Sequence, residues 1–162
     1  MLSENMTKRL NYQTNREIYS AYFYLGMAAY AASLGLTGFA NWFKVQFKEE
    51  LFHADKIFDY IIRQGSKVKL LAIEEPPQDF SSGVDLFKRT LEHEKKVTAM
   101  INDIVTLAKT EKDAQTENFL QWFVKEQKEE EEGPAKILQK IKASEKDKDG
   151  IAKIDAELIN RK

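Results

Sequence analysis

Apolar residues recur at spacings of three and four through four long stretches of this chain, and each stretch is bounded by a breaker or a capping side chain. Such periodicity belongs to amphipathic helices, and only three prolines and seven glycines interrupt the 162 residues. The spacing predicts a first helix from about Ser3 to Leu34, ended by Gly35, with Leu10, Thr14, Glu17, Ala21, Tyr24 and Ala28 inward. A second starts after Gly38 and stops at Gly65, with Phe39, Phe43, Phe47, Glu50, Ala54, Ile57 and Ile61 inward. The third, capped by Ser81 or Ser82, reaches about Thr110 and turns Val84, Phe87, Leu91, Glu94, Thr98, Ile101 and Val105 inward. The fourth opens near Asp113 and continues to about Ala143, with Phe119, Phe123, Gln127, Glu130, Ile137 and Ile141 on one face. Gly133-Pro134 lies inside that last stripe, and because Ile137, Leu138 and Ile141 keep the apolar phase, a kink is expected there instead of a new helix. After a polar stretch from Ser144 to Gly150, Ile151, Ile154, Leu158 and Ile159 mark a short fifth helix. Its apolar side is expected to be exposed and to need a partner.

Connection lengths fix how the helices lie. Gly35 to Gly38 and the junction near Lys112 can only reverse direction, so helices one and two are antiparallel, as are three and four. The segment from Ser66 to Phe80 holds about 15 residues, including Pro76 and Pro77, and at about 3.3 Å each it can run some 50 Å. That exceeds the length of a helix of about 27 residues, so helices two and three can lie parallel. The expected fold is all-α and a single domain over 1–162. It comprises a four-helix bundle over 1–143 with one long crossover between helices two and three, then a linker and the short fifth helix over 144–162.

With 43% apolar residues, a chain of this length can bury about 70% of its unfolded surface and needs no staples. The absence of cysteine excludes disulfides, thiolate zinc sites, iron–sulfur clusters and a cysteine nucleophile, so any metal must take oxygen and imidazole ligands. Lys plus Arg is 25 against 26 for Asp plus Glu, and no long basic block argues for a nucleic-acid or anionic-membrane partner. From Ile18 to Phe43 there is no charge, over a length greater than the roughly 20 residues a membrane span needs. Tyr19, Tyr22, Tyr24, Tyr30, Ser20 and Ser33 are nevertheless spread all round that helix, which argues for a buried helix and no membrane span. Ala29-Tyr30-Ala31 has the form of a leader-cleavage site, but the leader would carry Glu4 and Glu17, so a cytoplasmic protein is expected.

Each of the four stripes carries a glutamate where leucine would be ordinary: Glu17, Glu50, Glu94 and Glu130. The predicted helix midpoints fall near residues 19, 51, 96 and 129, so all four glutamates lie within about 3 Å of mid-length. Mid-length is the one level that antiparallel helices share. Four carboxylates converging there repel one another by several kcal/mol unless a multivalent cation neutralises them. His53 follows Glu50 by three and projects from nearly the same face, in a Glu-x-x-His arrangement that supplies a nitrogen ligand. His93, one residue from Glu94 and turned about 100° away, is expected on the outer face.

The runs Asn15-Arg16-Glu17, Glu49-Glu50-Leu51-Phe52-His53-Ala54, His93-Glu94 and Glu126-Gln127-Lys128-Glu129-Glu130, with Tyr24, resemble the non-haem ferritins of bacteria and archaea. The resemblance extends from Met1 to about Ile141. It implies a ferritin-like fold in which Glu17, Glu50 and His53 hold one iron of a dinuclear site, with Glu50 bridging, and Glu94 and Glu130 hold the second with Gln127 beside it. It also implies that Tyr24 hydrogen-bonds near the site, that Trp122 serves as an electron donor, and that Glu49, Glu126 and Glu129 join Glu130 at a third iron position. Bacterioferritins and rubrerythrins carry a second Glu-x-x-His on the fourth helix, where this chain has Gln127-x-x-Glu130. Bacterioferritins place a haem-ligating methionine where this chain has Leu51, so no haem is expected.

Oxygen-rich ligands with one imidazole suit non-haem iron, and two ions about 3.5–4 Å apart can each give one electron to dioxygen or hydrogen peroxide. The function the resemblance implies is iron storage with ferroxidase activity, in a hollow homo-oligomeric shell of 24 subunits whose fourfold axis the fifth helix would line. A ferritin-like di-iron oxidase or peroxidase without a shell is the alternative that keeps the same residues. A metal-free bundle, its glutamates satisfied by Tyr24, Gln127 and lysines from the helix ends, is a third; none of the stripes carries an inward Lys or Arg near its midpoint.

Overall fold

The computed structural model describes residues 1–144 and 146–162 and contains α1 (Glu4–Ser33), α2 (Thr37–Arg63), α3 (Gly83–Thr110), α4 (Ala114–Ala143) and α5 (Gly150–Leu158). Caps set three of the starts. Ser3 Oγ accepts the Met6 amide at 2.9 Å, Ser82 Oγ accepts that of Asp85 at 3.1 Å, and Asp113 Oδ1 accepts that of Thr116 at 3.0 Å. The α1–α2 reversal turns on Gly35 at φ 75°, and the α3–α4 reversal on Lys112, a non-glycine residue at φ 56°. α4 runs through Gly133-Pro134 as a single helix, with Pro134 buried.

The crossover from 66 to 80 has no regular structure of its own and is strapped to α1. Asn11 donates to the Lys67 carbonyl at 3.1 Å and accepts the Lys69 amide at 2.7 Å, while Asn15 donates to the Ala72 carbonyl at 2.9 Å. Arg16 adds an ion pair to Glu74 at 2.9 Å. Two buried asparagines in a helix thus serve the extended backbone beside them, whose carbonyls and amides would otherwise lack partners.

The apolar core has two halves. Towards one end Tyr24, Met27, Phe39, Phe43, Phe87, Ile137 and Ile141 pack together; towards the other, Met6, Leu10, Ile57, Ile61, Ile101, Leu120 and Phe123. Along each of α1 to α4 the two sets are separated by the mid-length glutamate, which makes a polar layer across the middle of the bundle. No helix among the described residues is long and apolar enough to cross a membrane.

The apolar side of α5 is not left exposed. It folds back against the start of α2, where Ile154 is buried and Ile151 and Leu158 pack on the aromatic half of the core. The docking is close, because a Cβ on Gly38 would stand 1.6 Å from the Asp155 carbonyl oxygen. Asp155 Oδ1 accepts the Phe39 amide at 2.8 Å, capping α2, and Asn41 Nδ2 lies 3.2 Å from the Leu158 carbonyl and 3.0 Å from that of Arg161.

Candidate metal centre

Glu17, Glu50, His53, Glu94 and Glu130 meet in the polar layer, and all five are buried. Three sets of side chains bring one donor atom each within 4.8 Å of one another: Glu17, Glu50 and His53; Glu50, Glu94 and Glu130; and His53, Glu126 and Glu130. Glu50 belongs to two of them, and so stands between the groups supplied by α1 and those supplied by α3 and α4. The His53 ring also faces two ways. Its Nδ1 lies 3.2 Å from Glu50 and 4.0 Å from Glu17, and its Nε2 lies 3.9 Å from Glu126 and 4.0 Å from Glu130.

Glu17, Glu94 and Glu130 are each held from outside the centre by a neutral donor, whereas Glu50 is paired with His53 within it. Gln13, one turn before Glu17, donates to Glu17 Oε1 at 2.7 Å, and Gln46, one turn before Glu50, donates across to Glu130 Oε2 at 2.7 Å. Glu94 accepts from the Tyr24 hydroxyl and, at 3.1 Å, from Gln127 Nε2. Gln127 is therefore beside Glu94 but presents its amide nitrogen, which also donates to the Glu94 carbonyl. Glu17 Oε2, by contrast, is buried and has no hydrogen-bond partner.

The electrostatics follow from this arrangement. Burial, and then the charges of Glu94, Glu17 and Glu130, push Glu50 well above the ordinary carboxylate range. Glu94 is raised as well, by burial and by Glu130, against the pull of its Tyr24 and Gln127 donors. Glu130 is raised to about 7, chiefly by burial, with Gln46 and Arg161 opposing. Tyr24 is driven up by burial and by the neighbouring Glu94, so its hydroxyl remains a donor. Protons or cations must stand among these carboxylates, and the oxygen-rich set with one imidazole suits an iron pair.

His93 is not an outer-face residue. Its Nε2 sits 2.7 Å from Ser20 Oγ and its ring packs 4.8 Å from Phe23 and edge-on to Tyr24, because α1 brings these three side chains to that side of α3. Burial, and then Arg16 and Lys96, lower its pKa to about 4, so the ring is neutral. Trp122 lies 5.5 Å from the His53 ring, with Lys56 Nζ 4.5 Å over its face.

Glu49 and Glu129 do not enter the buried layer with the other carboxylates, and Glu126, partly exposed, reaches it only at His53 and Glu130. With Glu130 they line an adjoining cavity of about 240 Å³, together with Trp42, Gln46 and Arg161. Gln13, Gln46 and Arg161 are not among the site residues expected from the sequence. The two glutamines had a legible signal, a polar residue one turn before an inward glutamate on an otherwise apolar face. Arg161 had none.

Residues 7–144 match the ferritin-like domain family. A probable bacterial non-heme ferritin-like protein of Haemophilus influenzae is 41% identical over 160 residues, which cover 99% of this chain and 97% of that protein. The bacterial non-heme ferritin of Staphylococcus aureus is 43% identical over 131 residues, 81% of this chain and 79% of that one. In structure, an open pore ferritin from the hyperthermophilic archaeon Archaeoglobus fulgidus superposes with a TM-score of 0.98 at 48% identity, over the full length of both chains. Family model, relatives and fold agree along nearly the whole sequence, and the chain belongs to the ferritin-like family.

Proposed function

We propose that this protein stores iron, and oxidises Fe(II) as its substrate at a dinuclear site inside each subunit. The observation that carries this reading is Glu17 Oε2, a buried carboxylate oxygen with no hydrogen-bond partner, 4.0 Å from His53 Nδ1. An oxygen left so costs free energy in a folded chain unless a proton or a cation takes it, and the imidazole and carboxylates gathered round it suit a cation. Glu17, Glu50 and His53 hold the first Fe(II), Glu50 is shared, and Glu94 and Glu130 hold the second. Gln127 and Tyr24 fix Glu94, and Glu49, Glu126, Glu129 and Glu130 receive a third ion in the cavity alongside.

Two Fe(II) ions give one electron each. With two protons they reduce one dioxygen to hydrogen peroxide, or one hydrogen peroxide to two waters, and leave two Fe(III) ions as product. Storage requires an enclosed space, and we assign it to a shell of 24 chains of 18.8 kDa, about 450 kDa in all. The exposed apolar residues on α1, on α2 and on the crossover support assembly, among them Tyr22, Leu25, Phe52, Leu70 and Ile73.

Anaerobic Fe(II) titration followed by oxygen, with stoichiometry read by absorbance, tests the centre, and sedimentation tests the shell. Two tight equivalents per subunit and fast oxidation, nearly abolished in Glu50→Ala, are expected. Normal oxidation in that variant would overturn the assignment. A stable monomer or dimer with intact oxidation would leave an oxidase or peroxidase without storage.

A further inference from the structure

Arg161 lies beyond α5 in the chain, yet its guanidinium stands in the cavity next to the metal centre. Nη2 donates to Glu49 Oε2 at 2.7 Å and to Gln46 Oε1, and Nη1 donates to the Trp42 carbonyl at 3.3 Å. The guanidinium carbon lies 4.3 Å over the Trp42 ring, a cation–π contact, and three-quarters of the side chain is buried. The remaining wall of this cavity is supplied by α4, with Glu126, Glu129 and Glu130 beside Gly133 and Pro134. A fixed monovalent cation therefore occupies one end of a four-carboxylate enclosure. Its place is set at a distance, by Asn41 holding the carbonyl of Arg161 itself and by the seating of α5 on Gly38.

We propose that Arg161 is a tethered competitor cation. It holds Glu49 away from the third metal position, and an ion enters there by displacing the guanidinium from that carboxylate. The proposal rests on the reading of Glu49, Glu126, Glu129 and Glu130 as a metal position. Gln46 extends the consequence, because its carbonyl accepts from Arg161 while its amide nitrogen donates to Glu130 at 2.7 Å. Displacement of Arg161 thus frees the residue that orients a ligand of the second iron, and filling of the third position is felt inside the dinuclear site. A divalent ion outcompetes a guanidinium here because it gathers several carboxylates at once, whereas Arg161 reaches only Glu49 among them.

Zn(II), which binds without redox chemistry, is titrated calorimetrically into the assembled wild-type protein, Arg161→Gln and Arg161→Lys. Loss of one partly exposed ion pair should tighten the third equivalent by about fivefold in Arg161→Gln, with smaller changes in the first two. Arg161→Lys keeps the charge but not the two-pronged contact, and should gain about twofold while preserving the docked α5. In a Trp122→Phe background Trp42 is the one remaining indole, and its emission should change as the third equivalent of Zn(II) binds, but not when Arg161 is glutamine. An unchanged third affinity in both Arg161 variants, or flat Trp42 emission through the third equivalent, overturns the proposal. Two equivalents and no third in every protein would remove the third position and this proposal with it, leaving the dinuclear reading intact. Fewer than two would remove that reading as well.

Discussion

Glu17 Oε2 lies 4.0 Å from His53 Nδ1, buried and unpartnered, while its sister oxygen is fixed by Gln13 at 2.7 Å. The carboxylate is clamped by one oxygen and presented by the other, an arrangement that aims it before any ion arrives.

Glu17→Gln keeps the shape and the clamp but turns an amide on His53. The first metal equivalent should weaken by at least about tenfold, a loss of about 1.4 kcal/mol in binding. The metal-free protein should melt no lower than wild type, because a buried charge is removed with its volume kept. Zn(II) calorimetry and thermal melts check both. Wild-type affinity at the first equivalent would show that the free oxygen has no metal to serve.

The pH dependence of the metal-free protein follows from the raised carboxyls. A carboxyl whose folded pKa lies above its unfolded value binds protons more tightly in the folded chain, so stability falls as pH rises between the two. For Glu130 that interval runs from 4.5 to about 7, and Glu50 and Glu94 shift in the same direction. The melting temperature without metal should drop by roughly 5–10 °C between pH 5 and pH 7.5. Saturating Zn(II) should remove the decline, since the ion replaces the protons. A flat or rising metal-free profile over that interval would contradict the burial of these charges.

Tyr24→Phe removes one of the two side-chain donors that hold Glu94 and leaves Gln127 in place. A lost hydrogen bond to a buried carboxylate costs about 1–3 kcal/mol, so the second metal equivalent should weaken by roughly 5- to 150-fold while the first changes little. Stopped-flow oxidation should slow in proportion to second-position occupancy, and excess Fe(II) should restore most of it. A variant that binds both ions normally yet still oxidises slowly would give Tyr24 a part in the electron or proton transfer itself.

Leu51 is 40% exposed on α2, directly after Glu50, and carries no atom able to ligate iron. Protein purified from haem-replete cells should therefore show no Soret band, and Leu51→Met tests whether this position alone decides haem binding. A strong Soret band in the wild-type protein would place a haem ligand elsewhere.

The fold was legible because its signals are periodic and redundant: four stripes, their caps, and one connection too long to be a turn. The convergence of Glu17, Glu50, Glu94 and Glu130 was legible because each violates an apolar stripe at the same height. What the sequence concealed is what depends on packing between segments far apart in the chain. His93 looked outward by helical phase, yet α1 covers it with Ser20, Phe23 and Tyr24. The apolar side of α5 looked unpartnered because nothing local says that Gly38 makes room for it. Arg161 was invisible for a related reason, since a search for cations on the four stripes never reaches a residue that enters from outside them.

Gly38 is not among the residues that meet in the candidate centre, and the chemistry proposed there has no use for it. A methyl group at this position would nevertheless collide with the Asp155 carbonyl and unseat α5. A mutational scan scored on iron handling would therefore rank position 38 among the ligands, and a map of intolerant positions drawn from this protein would outline two things superimposed: a chemical site, and the clearance on which a distant segment rests.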